Sequence, residues 1–258
     1  MALITFAAAS GSRGTTTTVV GLALTWPRPV IAVEADPSGG SQILAGYFRG
    51  LARPGLSELA LAHRQQQLAH EVPARLFPAA DTNASFLPGI RSPLQASTMS
   101  GVWGELLAVL RELEASDGVD VLVDAGRLGL VGSPDPLIAD ADLLVLLSGS
   151  GLPELASVRA WLPVLRRGSA DVRLVLVAPG RPYSASDVER DLGVPVIGTL
   201  PWDPQAARRW SHGEPQRAFD KSPLARSVRA LGETLRALPV ATPAPSRTEA
   251  PSGVGGAS

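Results

Sequence analysis

Near its start the chain reads LITFAAASGSRGTTTT, from Leu3 to Thr18. The first six of these residues, Leu3–Ala8, are apolar except for Thr5, which is typical of a buried strand covered on both faces of a sheet. A Gly/Ser turn follows, and a helix is expected from about Thr16 to Leu24. In a strand, loop and helix of this kind, backbone N–H groups at the helix start converge on one point. The segment therefore predicts an anion-binding loop.

Further apolar runs alternate with amphipathic stretches along the chain. The runs are Pro29–Ala35, Val119–Asp124, Asp142–Ser148, Val172–Ala178 and Val194–Leu200, and the predicted helices are Met99–Ala115, Leu152–Arg166, Ser184–Leu192 and Ser222–Leu238. This alternation predicts an α/β fold: a doubly wound, mostly parallel sheet with helices on both faces. Residues 41–98 are less regular, with a short helix expected at Gly55–Leu59 and short strands or loops at Arg75–Pro78 and Ser85–Pro88.

Composition limits the class of protein. The chain has 258 residues, a formal net charge of −1 and no cysteine, which excludes disulfides, a thiolate nucleophile and a Cys-ligated metal. Residues 1–238 are expected to form one domain, and the Pro/Ala/Ser/Gly-rich residues 239–258 a disordered tail. No run reaches the roughly 18 apolar residues of a membrane span, and no basic segment marks a signal peptide. We therefore expect a cytoplasmic protein without a direct membrane anchor.

The loop matches the phosphate-binding pattern G-x-x-x-x-G-K-[ST] only in part. Ala9 replaces the first glycine, Gly14 keeps the second, Thr15 stands at the lysine position, and Thr16 keeps the hydroxyl. Taken alone, the segment is equally compatible with a tight turn in which a threonine caps the helix.

Several segments together resemble the ParA/MinD family of P-loop ATPases (SIMIBI class) in order and spacing. The family loop K-G-G-x-G-K-T-T aligns without gaps with Ser10-Gly11-Ser12-Arg13-Gly14-Thr15-Thr16-Thr17. The family segment D-x-D-P-x-G-G aligns with Glu34-Ala35-Asp36-Pro37-Ser38-Gly39-Gly40, and the Walker B strand with Val121-Leu122-Val123-Asp124-Ala125-Gly126. The late block from Gly193 to Asp203, which contains Pro201, resembles the adenine-side segment. The resemblance covers roughly residues 1–238.

The resemblance implies a role for each of these positions. ATP or ADP with Mg²⁺ would be bound by Ser10, Gly11, Ser12, Arg13, Gly14, Thr15, Thr16, Thr17, Pro201 and Asp203. The metal would be held by Thr16, Glu34 and Asp124, and Asp36 would orient the attacking water as the catalytic residue. Both family lysines are missing, at Thr15 and Ser10, so nucleotide binding is expected to be weakened. Arg13 is the one cation in the loop.

Three functions stay open. The first is a ParA/MinD-like nucleotide switch or positioning protein, for chromosome or plasmid partitioning or for secretion and pilus assembly, with weak or absent ATP hydrolysis. The second is a pseudo-ATPase that acts as an interaction scaffold. The third, ranked last, is a nicotinamide-dinucleotide-dependent reductase, in which Glu34 would bind the ribose.

The resemblance also implies partners. It implies a homodimer, or a heterodimer with a related ATPase, that contacts a protein of a partitioning or secretion system. Contact with DNA would involve Arg166-Arg167 and Arg208-Arg209, although two isolated pairs in a nearly neutral protein are usually solvated surface.

Overall fold

The computed structural model describes residues 2–11, 13–179 and 182–239. In this part of the chain, one eight-stranded sheet has the order β3-β4-β2-β5-β1-β6-β7-β8. The strands are β1 (Leu3–Ala8), β2 (Val30–Glu34), β3 (Phe77–Pro78), β4 (Ala84–Leu87), β5 (Asp120–Arg127), β6 (Leu143–Ser148), β7 (Asp171–Val177) and β8 (Val196–Leu200). All neighbouring strands are parallel except β3, which runs antiparallel to β4 at one edge.

Helices cover both faces of this sheet. They are α1 (Thr15–Thr25), α2 (Leu56–Arg64), α3 (Leu68–Arg75), α4 (Ala96–Met99), α5 (Trp103–Asp117), α6 (Asp135–Ala139), α7 (Leu152–Leu165), α8 (Ala185–Leu192), α9 (Pro204–Ser211) and α10 (Pro223–Ala237). A π-helical turn covers Ile43–Tyr47. Helices α1, α9 and α10 pack on one face, and α5, α7 and α8 pack on the other. The predicted fold class is confirmed.

The central strand shows why continuous apolar runs form this sheet. Along β1, Leu3 and Ala7 contribute to the core on one face, whereas Ile4 and Phe6 contribute to the core on the other. Every residue of the strand is buried. Since successive side chains of a strand point to opposite faces, a strand between two helical layers needs apolar residues at almost every position. Thr5, the one polar residue of β1, donates its hydroxyl to the Leu137 carbonyl.

The less regular region differs most from the sequence-based expectation. The helix expected at Gly55–Leu59 extends to Arg64, and β4 lies one residue before the strand expected at Ser85–Pro88. In the segment Arg75–Pro78, Arg75 ends helix α3 and only Phe77–Pro78 is a strand. Two helices were not predicted. Helix α3 lies in this region and contains Pro73, and α9 lies later in the chain and begins at a proline.

In the described residues, no helix combines the length and apolar character that crossing a membrane requires. Residues 240–258 of the predicted tail, 239–258, lie outside the described residues, so its disorder stays a prediction.

Candidate functional site

The loop between β1 and α1 lies at the carboxyl edge of the sheet, next to the point where the chain order reverses around β1. Gly14 has a left-handed backbone, with φ 73° and ψ 30°, which glycine adopts without steric cost. Helix α1 then begins at Thr15, and no described side chain caps its first N–H groups. These amides and the positive end of the helix dipole are therefore available to an anion. Ser12, a predicted nucleotide-binding residue, lies outside the described residues.

A cavity of about 780 Å³ opens at this helix start. It is lined by the loop and by side chains from the ends of other strands, among them Gly11, Thr16, Asp36 and Arg127. The segments that follow β1, β2 and β5 thus meet at one place, because the carboxyl ends of parallel strands share one edge of the sheet.

Asp36 lies directly against Gly126. Its Oδ1 accepts a 2.8 Å hydrogen bond from the Ser38 N–H. A Cβ placed on Gly126 would lie only 2.3 Å from the carboxyl carbon of Asp36, and Gly126 has a positive φ of 62°. Glycine at position 126 therefore gives Asp36 the space to reach the same part of the site as Asp124.

Asp124, in β5, is a buried carboxylate of the site. It is completely buried, and its Oδ1 accepts a 3.0 Å hydrogen bond from the Gly126 N–H. Its Oδ2 is buried without a hydrogen-bond partner among the described residues. Burial raises the pKa of Asp124 from 3.8 to about 7, the nearby Asp36 and Glu34 add to the rise, and the Thr16 hydroxyl opposes it. Thr16 is therefore near this carboxyl, although Oδ2 has no hydrogen-bond partner in the described structure.

Glu34 lies opposite Asp124 in the β2–β5 ladder, but its environment is different. It is 2% exposed, and burial raises its pKa. Its Oε2 accepts hydrogen bonds from the Ser41 hydroxyl at 2.6 Å and the Gly89 N–H at 2.8 Å, and its Oε1 accepts one from the Ile43 N–H at 3.0 Å. Both oxygens are thus occupied by the chain. This gives Glu34 a structural role, and its proposed metal and ribose contacts stay untested.

Arg13, the one cation of the loop, is bound by a carboxylate. Its guanidinium forms an ion pair with Glu154, in the first turn of α7, and the two side chains are 29% and 22% exposed. Its Nε is buried without a hydrogen-bond partner in the described part of the chain. Arg13 lines a smaller cavity on the other side of the loop and not the 780 Å³ cavity, and its guanidinium is paired with Glu154 of α7.

Pro201 and Asp203 lie on the other side of the loop. They line a second cavity of about 510 Å³ together with Gly14 and Thr17. The Asp203 carboxylate also caps helix α9 by accepting a 2.9 Å hydrogen bond from the Ala206 N–H. The structure therefore places the predicted adenine-side residues beside the loop, with one carboxylate already in use as a helix cap.

The predicted metal residues lie near each other but do not form a complete ligand set. In residues 2–11, 13–179 and 182–239, no three His, Cys, Asp or Glu side chains form a group able to hold a metal ion. Asp124 and Thr16 face each other, whereas Glu34 is bound elsewhere. Sequence reasoning missed Arg127 and Glu154. Arg127 could have been found from the sequence, since it lies three residues after Asp124 at the end of the same strand.

Comparisons with known proteins find matches by structure but not by sequence. No protein-family model matches the chain, and no curated protein matches it in sequence. The structure is similar to MinD from Pyrococcus horikoshii complexed with Mg-ADP, with a TM-score of 0.71, 17% identity and coverage of 91% of this chain and 95% of that one.

Two further solved structures give the same result. A ParA family ATPase from Chlorobium tepidum has a TM-score of 0.69 and 16% identity, covering 91% of this chain and 98% of that one. The MinC:MinD cell division complex of Aquifex aeolicus has a TM-score of 0.70 and 15% identity, covering 95% and 99%. With the strand order and the loop before α1, these likenesses establish that the chain has the fold of the ParA/MinD-type P-loop ATPases.

Proposed function

We propose that the chain is a ParA/MinD-like nucleotide-binding switch or positioning protein with weak or absent ATP hydrolysis. The observation that carries this proposal is the unpartnered Oδ2 of Asp124, fully buried and next to the Thr16 hydroxyl at the start of α1. A buried carboxylate oxygen without a donor is costly, and a bound cation would remove that cost.

Different groups at the loop fit Mg²⁺ and a phosphate. Carboxylate and hydroxyl oxygens are ligands that Mg²⁺ accepts, and it commonly keeps several waters, so Thr16 and Asp124 suffice as its protein contacts. The uncapped amides of α1 suit a phosphate oxygen. Asp36, beside the same cavity, is the residue we assign to orienting water. The neighbour from Pyrococcus horikoshii, complexed with Mg-ADP, supports this choice of ligand.

Slow hydrolysis is expected because no positive charge stands at the lysine position of the loop. Phosphoryl transfer requires that charge on the transferred group and the leaving oxygen be neutralised, and that donors be held in place before the reaction. Thr15 supplies no charge at the lysine position, and the Arg13 guanidinium is bound by Glu154. We therefore expect binding without efficient turnover.

The pseudo-ATPase scaffold is the second candidate, and the same Arg13–Glu154 ion pair favours it. In a scaffold, this pair would link the loop to α7 whether or not a nucleotide is present. No observation favours the reductase, because both carboxylate oxygens of Glu34 are occupied.

Equilibrium binding of MgADP and MgATP, measured beside phosphate release, tests the proposal. We expect binding at millimolar nucleotide or below, with phosphate release near background. Thr15→Lys should tighten MgATP binding and raise phosphate release, because Thr15 lines the cavity. Thr15→Met is the matched control, since it adds similar length without charge. Absence of binding at millimolar nucleotide contradicts the switch and leaves the scaffold.

The remaining assignments belong to this proposal. We place the chain in the cytoplasm as a homodimer, or a heterodimer with a related ATPase, that acts on a protein partner of a partitioning or secretion system. The MinC:MinD complex supports a protein partner. DNA contact stays a prediction: Arg208 forms an ion pair with Glu214, and Arg166 donates to the Gly193 carbonyl.

A further inference from the structure

Bound phosphate at the loop would meet an environment with little positive charge. The described residues that line the 780 Å³ cavity include two charged side chains, Asp36 and Arg127. Two further carboxylates, Glu34 and Asp124, are buried opposite each other in the β2–β5 ladder, and Asp124 accepts a hydrogen bond from Gly126, which lines the cavity. A phosphate in this cavity would therefore be stabilised by a cation besides the metal.

Arg127 is held beside the loop by the strand that carries Asp124. A bulge in the β1–β5 ladder places Phe6 opposite Asp124 and Ala8 opposite Arg127. The next residue, Leu128, donates a 3.0 Å hydrogen bond from its N–H to the Ala8 carbonyl. The backbone of Arg127 is thus fixed against the last residue of β1, directly before the loop begins.

The Arg127 side chain is also available. It is exposed, and no described carboxylate or carbonyl pairs with it. Arg13 differs, because Glu154 binds its guanidinium and it lines the 510 Å³ cavity in place of the 780 Å³ one. A guanidinium presents a planar pair of donors that match two phosphate oxygens and stays charged at every physiological pH.

We infer that Arg127 supplies positive charge for phosphate in this cavity, which Thr15, at the lysine position, does not supply. This inference rests on the proposed nucleotide binding. It adds a phosphate contact from β5 to the amides of α1, so that one strand carries both the proposed metal-binding carboxylate and the phosphate-binding cation.

Calorimetric titration of MgADP, and separately of adenosine, into the full chain and its variants tests the inference. Arg127→Ala and Arg127→Gln should weaken MgADP binding by about ten- to hundredfold, the usual range for a lost hydrogen bond between charged groups. Arg127→Lys should recover part of the loss. Adenosine affinity should not change, since adenosine has no phosphate. Arg226→Ala is the control, because Arg226 is exposed on α10 and does not line the cavity.

The outcomes separate the inference from the proposed function. If wild type binds MgADP and Arg127→Ala binds as tightly as Arg226→Ala, the inference is wrong and the proposed function stands. A larger loss in Arg13→Ala than in Arg127→Ala also overturns it, as does an equal loss of adenosine affinity, which would indicate a structural role. If wild type does not bind MgADP at millimolar concentration, the proposed function fails and the inference fails with it.

Discussion

Replacing Asp124 with asparagine is expected to stabilise the protein without ligand at pH 8 and to have little effect near pH 4. Asparagine keeps an acceptor for the Gly126 N–H and removes the charge that burial disfavours. A rise in pKa from 3.8 to about 7 corresponds to about 4 kcal/mol, because each pKa unit is worth about 1.4 kcal/mol. We take this as an upper limit, since the folded protein relaxes around a charge.

The sign follows from comparing the folded and unfolded chains. Below pH 3.8, Asp124 is protonated in both states and contributes no pH dependence to stability. As pH rises from 3.8 to about 7, the unfolded chain releases the proton first, which lowers the free energy of unfolding. Above pH 7 the loss is constant. The stability gained by Asp124→Asn should therefore grow through this window and then level off.

Urea denaturation followed by tryptophan fluorescence, in EDTA and at pH values between 4 and 8.5, measures this difference. Asp81→Asn is the matched control, because Asp81 is exposed and has a left-handed backbone that asparagine tolerates. The control should show no gain that increases with pH. A gain from Asp124→Asn that is independent of pH, or that increases toward acid pH, would refute the reasoning.

Three further substitutions test the site. Gly126→Ala should destabilise the protein by about 1–3 kcal/mol in thermal denaturation, because its Cβ would meet the Asp36 carboxylate at a positive φ; an unchanged melting temperature contradicts this. Glu34→Ala should lower the free energy of unfolding, measured by urea denaturation, by about 3–5 kcal/mol, since three buried donors lose their acceptor. A loss below about 1 kcal/mol would argue against a structural role for Glu34. Glu154→Gln should change stability by less than about 1 kcal/mol, because its ion pair with Arg13 is partly exposed, and a larger loss in the same assay would contradict that.

The regular part of the fold could be predicted because its sequence signal is local. Strand β1 has the predicted bounds, Leu3–Ala8, and the runs that form β6 and β7 differ by one residue at the ends. Because helices cover these strands on both faces of the sheet, almost every position requires an apolar side chain. The region from 41 to 98 lacks this constraint, since β3 and β4 are short and lie at the sheet edge.

Contacts in the site were harder to predict because they join residues distant in sequence. The loop, Asp36 and Asp124 could be placed together from the rule that parallel strands share a carboxyl edge. The Arg13–Glu154 pair could not, since it depends on where the side chains of α7 point. Likewise, the motif that contains Glu34 does not show that Ser41, Ile43 and Gly89 donate hydrogen bonds to its carboxylate.

The contrast between Glu34 and Asp124 is the strongest physical reason to expect a retained cation site. The two carboxylates lie opposite each other on neighbouring strands, and burial raises the pKa of both. The chain satisfies Glu34 with three donors but leaves one oxygen of Asp124 without any in the described structure. A carboxylate with a purely structural role gains stability from donors like those around Glu34. The uncompensated oxygen of Asp124 therefore supports the proposal that a cation binds beside Thr16, although Thr15 stands where the family loop has a lysine.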